Sequence, residues 1–407
     1  MKNSISVESK SRLSEENELL YEELKADIMA VRFDHDYSSP LHFLSFLTDK
    51  ELLKQLYLIK KQKDSPNLKK IFIVSIGGAN LGAKAIMDAY GSNYAREFIF
   101  VDTVYPGETE DLRRHIEGTN KLDEFLLIII SKSGETLEIL TNAKLLQSLL
   151  EEKFELIDSQ MIVVSVEDTP LFSETKARDI TCVSIPDTIS DRYAVFSAVG
   201  LMPLLFTDFS IEEFVRGGLH SLDEFIHNGS VMKIAELLNK TFPDGVHGIL
   251  DFFMFSKRLE TFGKWNRQLF AESLGKETTI DGEALNRSIT PTVSVGTTDL
   301  HSMLQLYLAQ PQERATWFFS LTEEDSLKDK KSPEFLLSVI YKNIVNEFRE
   351  HNIPFVESYM DTISGESLGF HMMNSFLTVI SLARLWNVNP FDQPNVEEYK
   401  MESKMML

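Results

Sequence analysis

Cysteine is nearly absent from this 407-residue chain: Cys182 stands alone, inside the apolar run Asp179–Ile185. A single thiol excludes an internal disulfide and a cysteine-based zinc cluster, and it reads as a small buried hydrophobe. Basic charge is also in deficit. Lys and Arg number 41 against 62 Asp and Glu, a formal net charge of −21, which argues against the basic face that nucleic-acid binding needs. Apolar runs are short, Phe125–Ile130 (FLLIII) being typical, far below the length that crosses a bilayer. The opening stretch MKNSISVESKSRLSEENELLYEEL has no apolar core of signal type, so a cytoplasmic location is the expectation. An anionic small ligand is still allowed, but its site has to be locally positive against the overall field.

What is present is a rhythm of apolar strands and helices. Residues 1–65 read as a polar, mostly helical lead-in with a turn near Ser38-Ser39-Pro40. Strands are then predicted at Lys70–Ile76, Glu97–Val101, Phe125–Ile130, Met161–Val166 and Thr181–Ile185, with helices over 80–90 and 135–151. Continuous apolar strands alternating with helices indicate a parallel sheet covered on both faces. A second cycle brings helices between 211 and 238 and a strand at Gly248–Phe253. It continues with a helix over 256–274, strands at 292–295, 315–319 and 354–358, and helices over 334–349 and 369–386. The length fits two domains. The expected division is a helical N-terminal extension over 1–54, α/β domains over 55–208 and 209–388, and a C-terminal segment over 389–407.

Ligands of open parallel sheets bind where strand ends meet helix starts. After Phe125–Ile130 the chain reads Ser131-Lys132-Ser133-Gly134-Glu135-Thr136 and runs into a helix. Three hydroxyls, a glycine and the free N–H groups of a helix start suit a phosphate. A Ser-rich helix cap is the bland alternative, but three hydroxyls in six residues exceed what a cap needs. Ser75–Gly82 (SIGGANLG) lacks the G-x-G-x-x-G spacing of a dinucleotide fingerprint. Asp102 does follow the next strand, which leaves a nicotinamide reading open with small weight. Gly77 and Gly78 are expected to let the backbone approach a ligand closely.

Both loops resemble the sugar-isomerase (SIS) fold, whose Ser/Thr-rich loop holds a sugar phosphate. Four further segments resemble the glucose-6-phosphate isomerase family in particular. They are Ile189–Gly200 (ISDRYAVFSAVG), Gln268–Lys276 (QLFAESLGK), Gly296–Pro311 (GTTDLHSMLQLYLAQP) and Asn389–Lys400 (NPFDQPNVEEYK). They run in family order, so the likeness covers about residues 40 to 401. It implies two flavodoxin-like, doubly wound α/β domains of SIS type with helical N- and C-terminal extensions. It also implies a cofactor-free aldose–ketose isomerase of glycolysis and gluconeogenesis, interconverting glucose 6-phosphate and fructose 6-phosphate through a cis-enediolate.

Such a reaction needs ring opening, a base that moves a proton between two carbons, and a cation for the enediolate. The resemblance makes Glu272, partly withdrawn from water, the base. Without the motif, a helical Glu between Gln268 and Lys276 would read as a solvated surface residue. It gives His301 ring opening, with the histidine reaching into a neighbouring subunit's site, and Asp299 is a candidate orienting partner. Arg192 takes the enediolate charge, since a guanidinium stays charged when enclosed. Lys400 acts at the ring oxygen and hydroxyls. Substrate contacts fall to Gly77, Gly78, Ser131, Lys132, Ser133, Thr136, Gln268 and Gln393. A homodimer is implied. The chain departs from the family pattern at Ala79, at Ser190-Asp191 in place of Gly-Gly, at Ala194, and at Asn395 in place of Gly.

Two other readings keep the fold: an isomerase of another or broader sugar phosphate, such as mannose 6-phosphate, and a non-catalytic sugar-phosphate-binding regulator. The nine histidines are scattered, with no closely spaced pair in a β-barrel pattern. That disfavours a cupin-type metal isomerase, and no metal is expected. Nucleic-acid and membrane roles have no support.

Overall fold

The computed structural model describes residues 3–7, 14–91, 95–321 and 329–396. Its strands are β1 (Ser4–Val7), β2 (Lys70–Val74), β3 (Glu97–Val101), β4 (Phe125–Ile130), β5 (Met161–Val166), β6 (Thr181–Ile185), β7 (His247–Met254), β8 (Ser288–Val295), β9 (Arg314–Leu321) and β10 (Phe355–Met360). The described residues fall into two compact units. One is drawn from residues 31–84 and 95–209, the other from 3–7, 14–30, 85–91 and 210–396.

In the first of these units all five strands are parallel, in the order β3-β2-β4-β5-β6. Every residue of β4 is buried, as a strand covered on both faces requires. Phe72, Val74, Phe125, Leu127 and Ile129 share one face with Leu112 and Ile116 of the helix Glu108–Ile116 and Ile139 and Leu146 of the helix Leu137–Glu151. In chain order the strands run 2-1-3-4-5, the flavodoxin-like arrangement, and the order reverses between β2 and β4. A ligand crevice forms at that switch point, outside the strands' carboxyl ends.

The other unit has the order β1-β10-β9-β7-β8, parallel except for β1, which pairs antiparallel with β10. The reversal here lies between β7 and β9. Pro291 sits inside β8, tolerated because β8 is an edge strand and needs no donor on its outer side. The helix Gly365–Trp386 is buried along almost its whole length. It packs against the helix Ile211–Asn228 through glycines. A Cβ on Gly217 would lie 2.0 Å from the Glu366 carbonyl, and one on Gly369 2.0 Å from that of Phe214. No described helix is long and apolar enough to cross a membrane.

The lead-in over 1–65 is mostly helical, as expected, with Glu15–Val31, Pro40–Leu47 and Lys50–Lys63, but it also contributes a strand. Ser4–Val7 (SISV) is too short to announce a strand and is held by the open edge of β10, in register from Ser4 opposite Tyr359 to Val7 opposite Val356. Within the stretch expected as one N-terminal extension over 1–54, the described residues up to 30 group with the β7–β10 unit and residues 31–54 with the other.

Candidate functional site

The loops after β2 and β4 flank the switch point of the first sheet. Ser131 directly follows β4, is 1% exposed, and its hydroxyl has no hydrogen-bond partner among the described residues. Ser75, at the end of β2, has a buried hydroxyl in the same condition. Buried polar groups are normally paired, so two orphan hydroxyls on neighbouring strand ends mark a place where a polar ligand is wanted. Next, the Ser133 hydroxyl accepts from the Glu135 N–H (3.2 Å) and lies 3.4 Å from that of Thr136.

Thr136 stands at the N-cap of the helix Leu137–Glu151 yet makes no capping bond with its side chain. Thr169 and Ser210, in the same position on other helices, do cap. The bland reading of the serine run as a cap therefore fails at the residue that would do the capping. The first N–H groups of that helix are left to a ligand or to water. Gly134 has φ +61°, and a Cβ there would meet Thr169 at 2.8 Å, so the turn needs glycine. The Lys132 ammonium lies 3.5 Å from the Asp187 carboxylate.

In the other loop, Gly77 has φ +62°. The close approach seen at Gly78 is to protein: a Cβ there would lie 2.5 Å from the Arg192 nitrogen and 2.8 Å from its Cα. Gly78 thereby lets the Asp191–Phe196 turn pack onto the loop. Arg192 is 2% exposed; its guanidinium donates to the Ser190 hydroxyl (2.9 Å) and lies 5.6 Å from the Tyr193 ring centre. The departure from Gly to Ser at 190 thus supplies a direct partner for the guanidinium. Asp102, which kept the nicotinamide reading open, accepts from the Asn80 amide (3.0 Å) and pairs with Lys84 (2.7 Å). Both partners lie on the helix Gly78–Tyr90, so its carboxylate ties the end of β3 to that helix.

In the other unit, Gln268 and Glu272 share a face of the helix Glu260–Leu274, which follows β7. The Gln268 amide donates to Glu272 Oε1 at 2.8 Å, while Gln268 Oε1 is buried without a partner among the described residues. Glu272 is half-buried, and its orientation is set from within the helix, four residues back. Lys264, on the same face, is taken up by Glu260 (2.8 Å).

Lys276 has a part that the sequence reading did not assign. Its side chain is 5% exposed, and its ammonium donates to the carbonyls of Glu272 (3.0 Å) and Asp392 (2.6 Å) and pairs with the Asp392 carboxylate (2.8 Å). It ties the end of the helix that carries Glu272 to the segment holding Gln393. The signal was there, a Lys four residues past Glu272 in a matched motif, but its partner is 116 residues away. Asn395 donates to Glu277 Oε1 at 2.7 Å, so the side chain replacing glycine is anchored.

His301 lies on the turn after β8, exposed, with its backbone N–H given to Thr298. Asp299 does not orient it. That carboxylate accepts from the Val295 N–H (2.7 Å) and the Ser302 hydroxyl (3.0 Å), bracing the turn instead. Lys400 lies outside the described residues.

Comparison with known proteins agrees with this architecture. Residues 60–342 match the family model described as phosphoglucose isomerase. The chain is 29% identical over 391 residues to the probable glucose-6-phosphate isomerase of Methanococcus maripaludis, covering 91% of this chain and 85% of that one. It is 28% identical over 363 residues to the glucose-6-phosphate isomerase of Methanocaldococcus jannaschii, covering 84% and 85%. The crystal structure of a glucose-6-phosphate isomerase from Chlamydia trachomatis superposes with a TM-score of 0.80 at 19% identity, over 99% of this chain and 88% of that one. The orphan hydroxyls at the switch point, the uncapped helix start and the Gln-held glutamate thus occur in a chain that belongs to the phosphoglucose isomerase family.

Proposed function

We propose that the chain catalyses the reversible isomerisation of glucose 6-phosphate and fructose 6-phosphate. The observation that carries this reading is Glu272, a carboxylate inside a family motif, presented by a helix and oriented by Gln268. In this reading the phosphate is held by Ser131, Lys132, Ser133, Thr136 and the free N–H groups of the helix start. Gln268 and Gln393 take substrate hydroxyls, and Gly77 and Gly78 shape the adjoining loop. Glu272 removes the proton from the carbon beside the aldehyde and returns it to the neighbouring carbon. Arg192 faces the negative charge that develops on the enediolate oxygens, where a fixed cation acts most strongly. His301 assists ring opening, and its exposure on a turn suits a histidine that serves a second subunit of a homodimer. Lys400 acts at the ring oxygen, and the cytoplasm is the proposed setting.

The test is turnover of fructose 6-phosphate in EDTA, read as glucose 6-phosphate through a coupled dehydrogenase, beside Glu272→Gln. The intact protein should turn over, and the variant should lose at least about 100-fold in kcat, the range for removal of a general base, with its Tm unchanged. Binding of fructose 6-phosphate without turnover by the intact protein would sink the proposal. It would favour the non-catalytic regulator, for which the Ser190–Arg192 bond is the specific observation.

A further inference from the structure

The segment Val31–Thr48 contributes nothing to the site above, yet it brings together two carboxylates and an imidazole that the sequence leaves scattered. Asp34 and Asp36 lie on an exposed loop, and His42 lies in the 3-10 helix Pro40–Leu47. One ligand atom from each falls within 4.8 Å of the other two. His42 is 4% exposed. Its Nε2 lies 3.0 Å from Asp36 Oδ1 and 3.7 Å from Asp34 Oδ2, yet it has no partner of hydrogen-bond geometry among the described residues. A buried imidazole nitrogen turned towards two carboxylates without bonding to either is not satisfied by protein alone.

We infer that Asp34, Asp36 and His42 form a binding site for one divalent transition-metal ion of the zinc type. Around a tetrahedral ion with bonds of about 2.0–2.1 Å, neighbouring ligand atoms lie roughly 3.3 Å apart. The 3.0 and 3.7 Å separations bracket that spacing. One imidazole nitrogen and two carboxylate oxygens form a borderline donor set that suits zinc better than magnesium or calcium. A fourth position would fall to water.

The outer contacts fit as well. His42 Nδ1 is contacted by Ser39 alone: it accepts from the Ser39 N–H at 3.2 Å and lies 2.8 Å from its hydroxyl and 3.2 Å from its carbonyl, so metal binding at Nε2 requires the tautomer in which Nδ1 donates to the hydroxyl or the carbonyl. The Asp36 N–H donates to Asp34 Oδ1 and the Ser38 N–H to Asp36 Oδ1, which limits how far either carboxylate can swing.

The ion is structural. Phe43, beside His42, packs on Tyr193 with ring centres 5.0 Å apart, so it would clip the loop to the segment that supports the Arg192 turn. It takes no part in the proton transfer, and this inference does not depend on the isomerase reading.

The test is calorimetric titration of metal-stripped protein with zinc chloride near neutral pH, followed by thermal unfolding. We expect one ion per chain with Kd of about 1 μM or tighter, and a rise in Tm at saturating zinc. Because His42→Gln alters a buried residue, Asp34→Asn is the deciding variant. Its side chain is 53% exposed, and the amide oxygen can still accept from the Asp36 N–H. It should keep the zinc-free Tm and weaken binding by at least about tenfold, as loss of a ligand requires. Millimolar or absent binding by the intact protein overturns the inference, as does a zinc site unchanged in Asp34→Asn.

Discussion

Glu272 and Arg192 are held in different ways, and each way can be tested by one substitution. Glu272 is positioned locally by Gln268, one helical turn back. Arg192 is positioned by backbone packing, because Gly78 leaves room for the turn that carries it. Gly78→Ala puts a methyl group 2.5 Å from a backbone nitrogen that cannot swing aside. Overpacking of this kind costs about 1–3 kcal/mol. With Arg192 in the role proposed for it at the enediolate, a shift of the arginine by an ångström would lower kcat/KM by about 100-fold. Thermal unfolding and the coupled assay together check this, and an alanine variant with normal kcat/KM would remove Gly78 from any positioning role. Ser190 and Asn395 show how departures from a family pattern are absorbed: each new side chain acquires a partner, the Arg192 guanidinium in one case and Glu277 in the other.

Among the elements, the helix pair Ile211–Asn228 and Gly365–Trp386 approaches too closely to admit a side chain at either contact glycine. Gly217 and Gly369 face each other's neighbouring carbonyls, and a Cβ on either would sit 2.0 Å from an oxygen. Alanine usually favours a helix over glycine by about 1 kcal/mol. Here that preference is overridden, because the helices would have to separate. Gly217→Ala is expected to lower stability by about 1–3 kcal/mol, measured by urea unfolding, whereas the propensity argument alone predicts a gain. The same helix buries His371 at 1% exposure, its Nε2 donating to the Tyr359 carbonyl at 3.1 Å.

His371 gives the whole molecule a pH dependence whose sign is fixed by burial. Desolvation, only partly offset by the Tyr359 carbonyl, lowers its pKa from 6.5 to about 4. Between those values the unfolded chain takes up a proton that the folded one refuses. The stabilising contribution is therefore present above pH 6.5 and lost as the pH falls towards 4. A shift of this size corresponds to about 3 kcal/mol. Urea unfolding from pH 7.5 down to 4.5 should show the wild type losing more stability than His371→Asn. Parallel curves would mean that the imidazole is protonated inside the fold. At this scale the net charge of −21 also matters: an anionic substrate approaches an acidic protein, so the donors at the switch point have to act at short range.

The sequence by itself determined the fold class. Runs such as FLLIII and MIVVSV can satisfy their backbone and hide both faces only in a covered parallel sheet, so strand type and the positions of the strands along the chain were legible from local composition. Glu272, Gln268, His301 and Arg192 were singled out as candidates by motifs, which carry position along the chain but no distances. Tertiary structure alone decided what depends on partners far apart in sequence. It gave β1 its place on the edge of β10, and it turned Asp299 to brace its own turn. It took Lys276 to Asp392 across 116 residues, and it set Asp34, Asp36 and His42 around one point. The physical reason is the same in each case. Secondary structure follows from short-range periodicity, whereas a side chain's partner is fixed by packing between segments whose separation along the chain is not encoded in their local pattern.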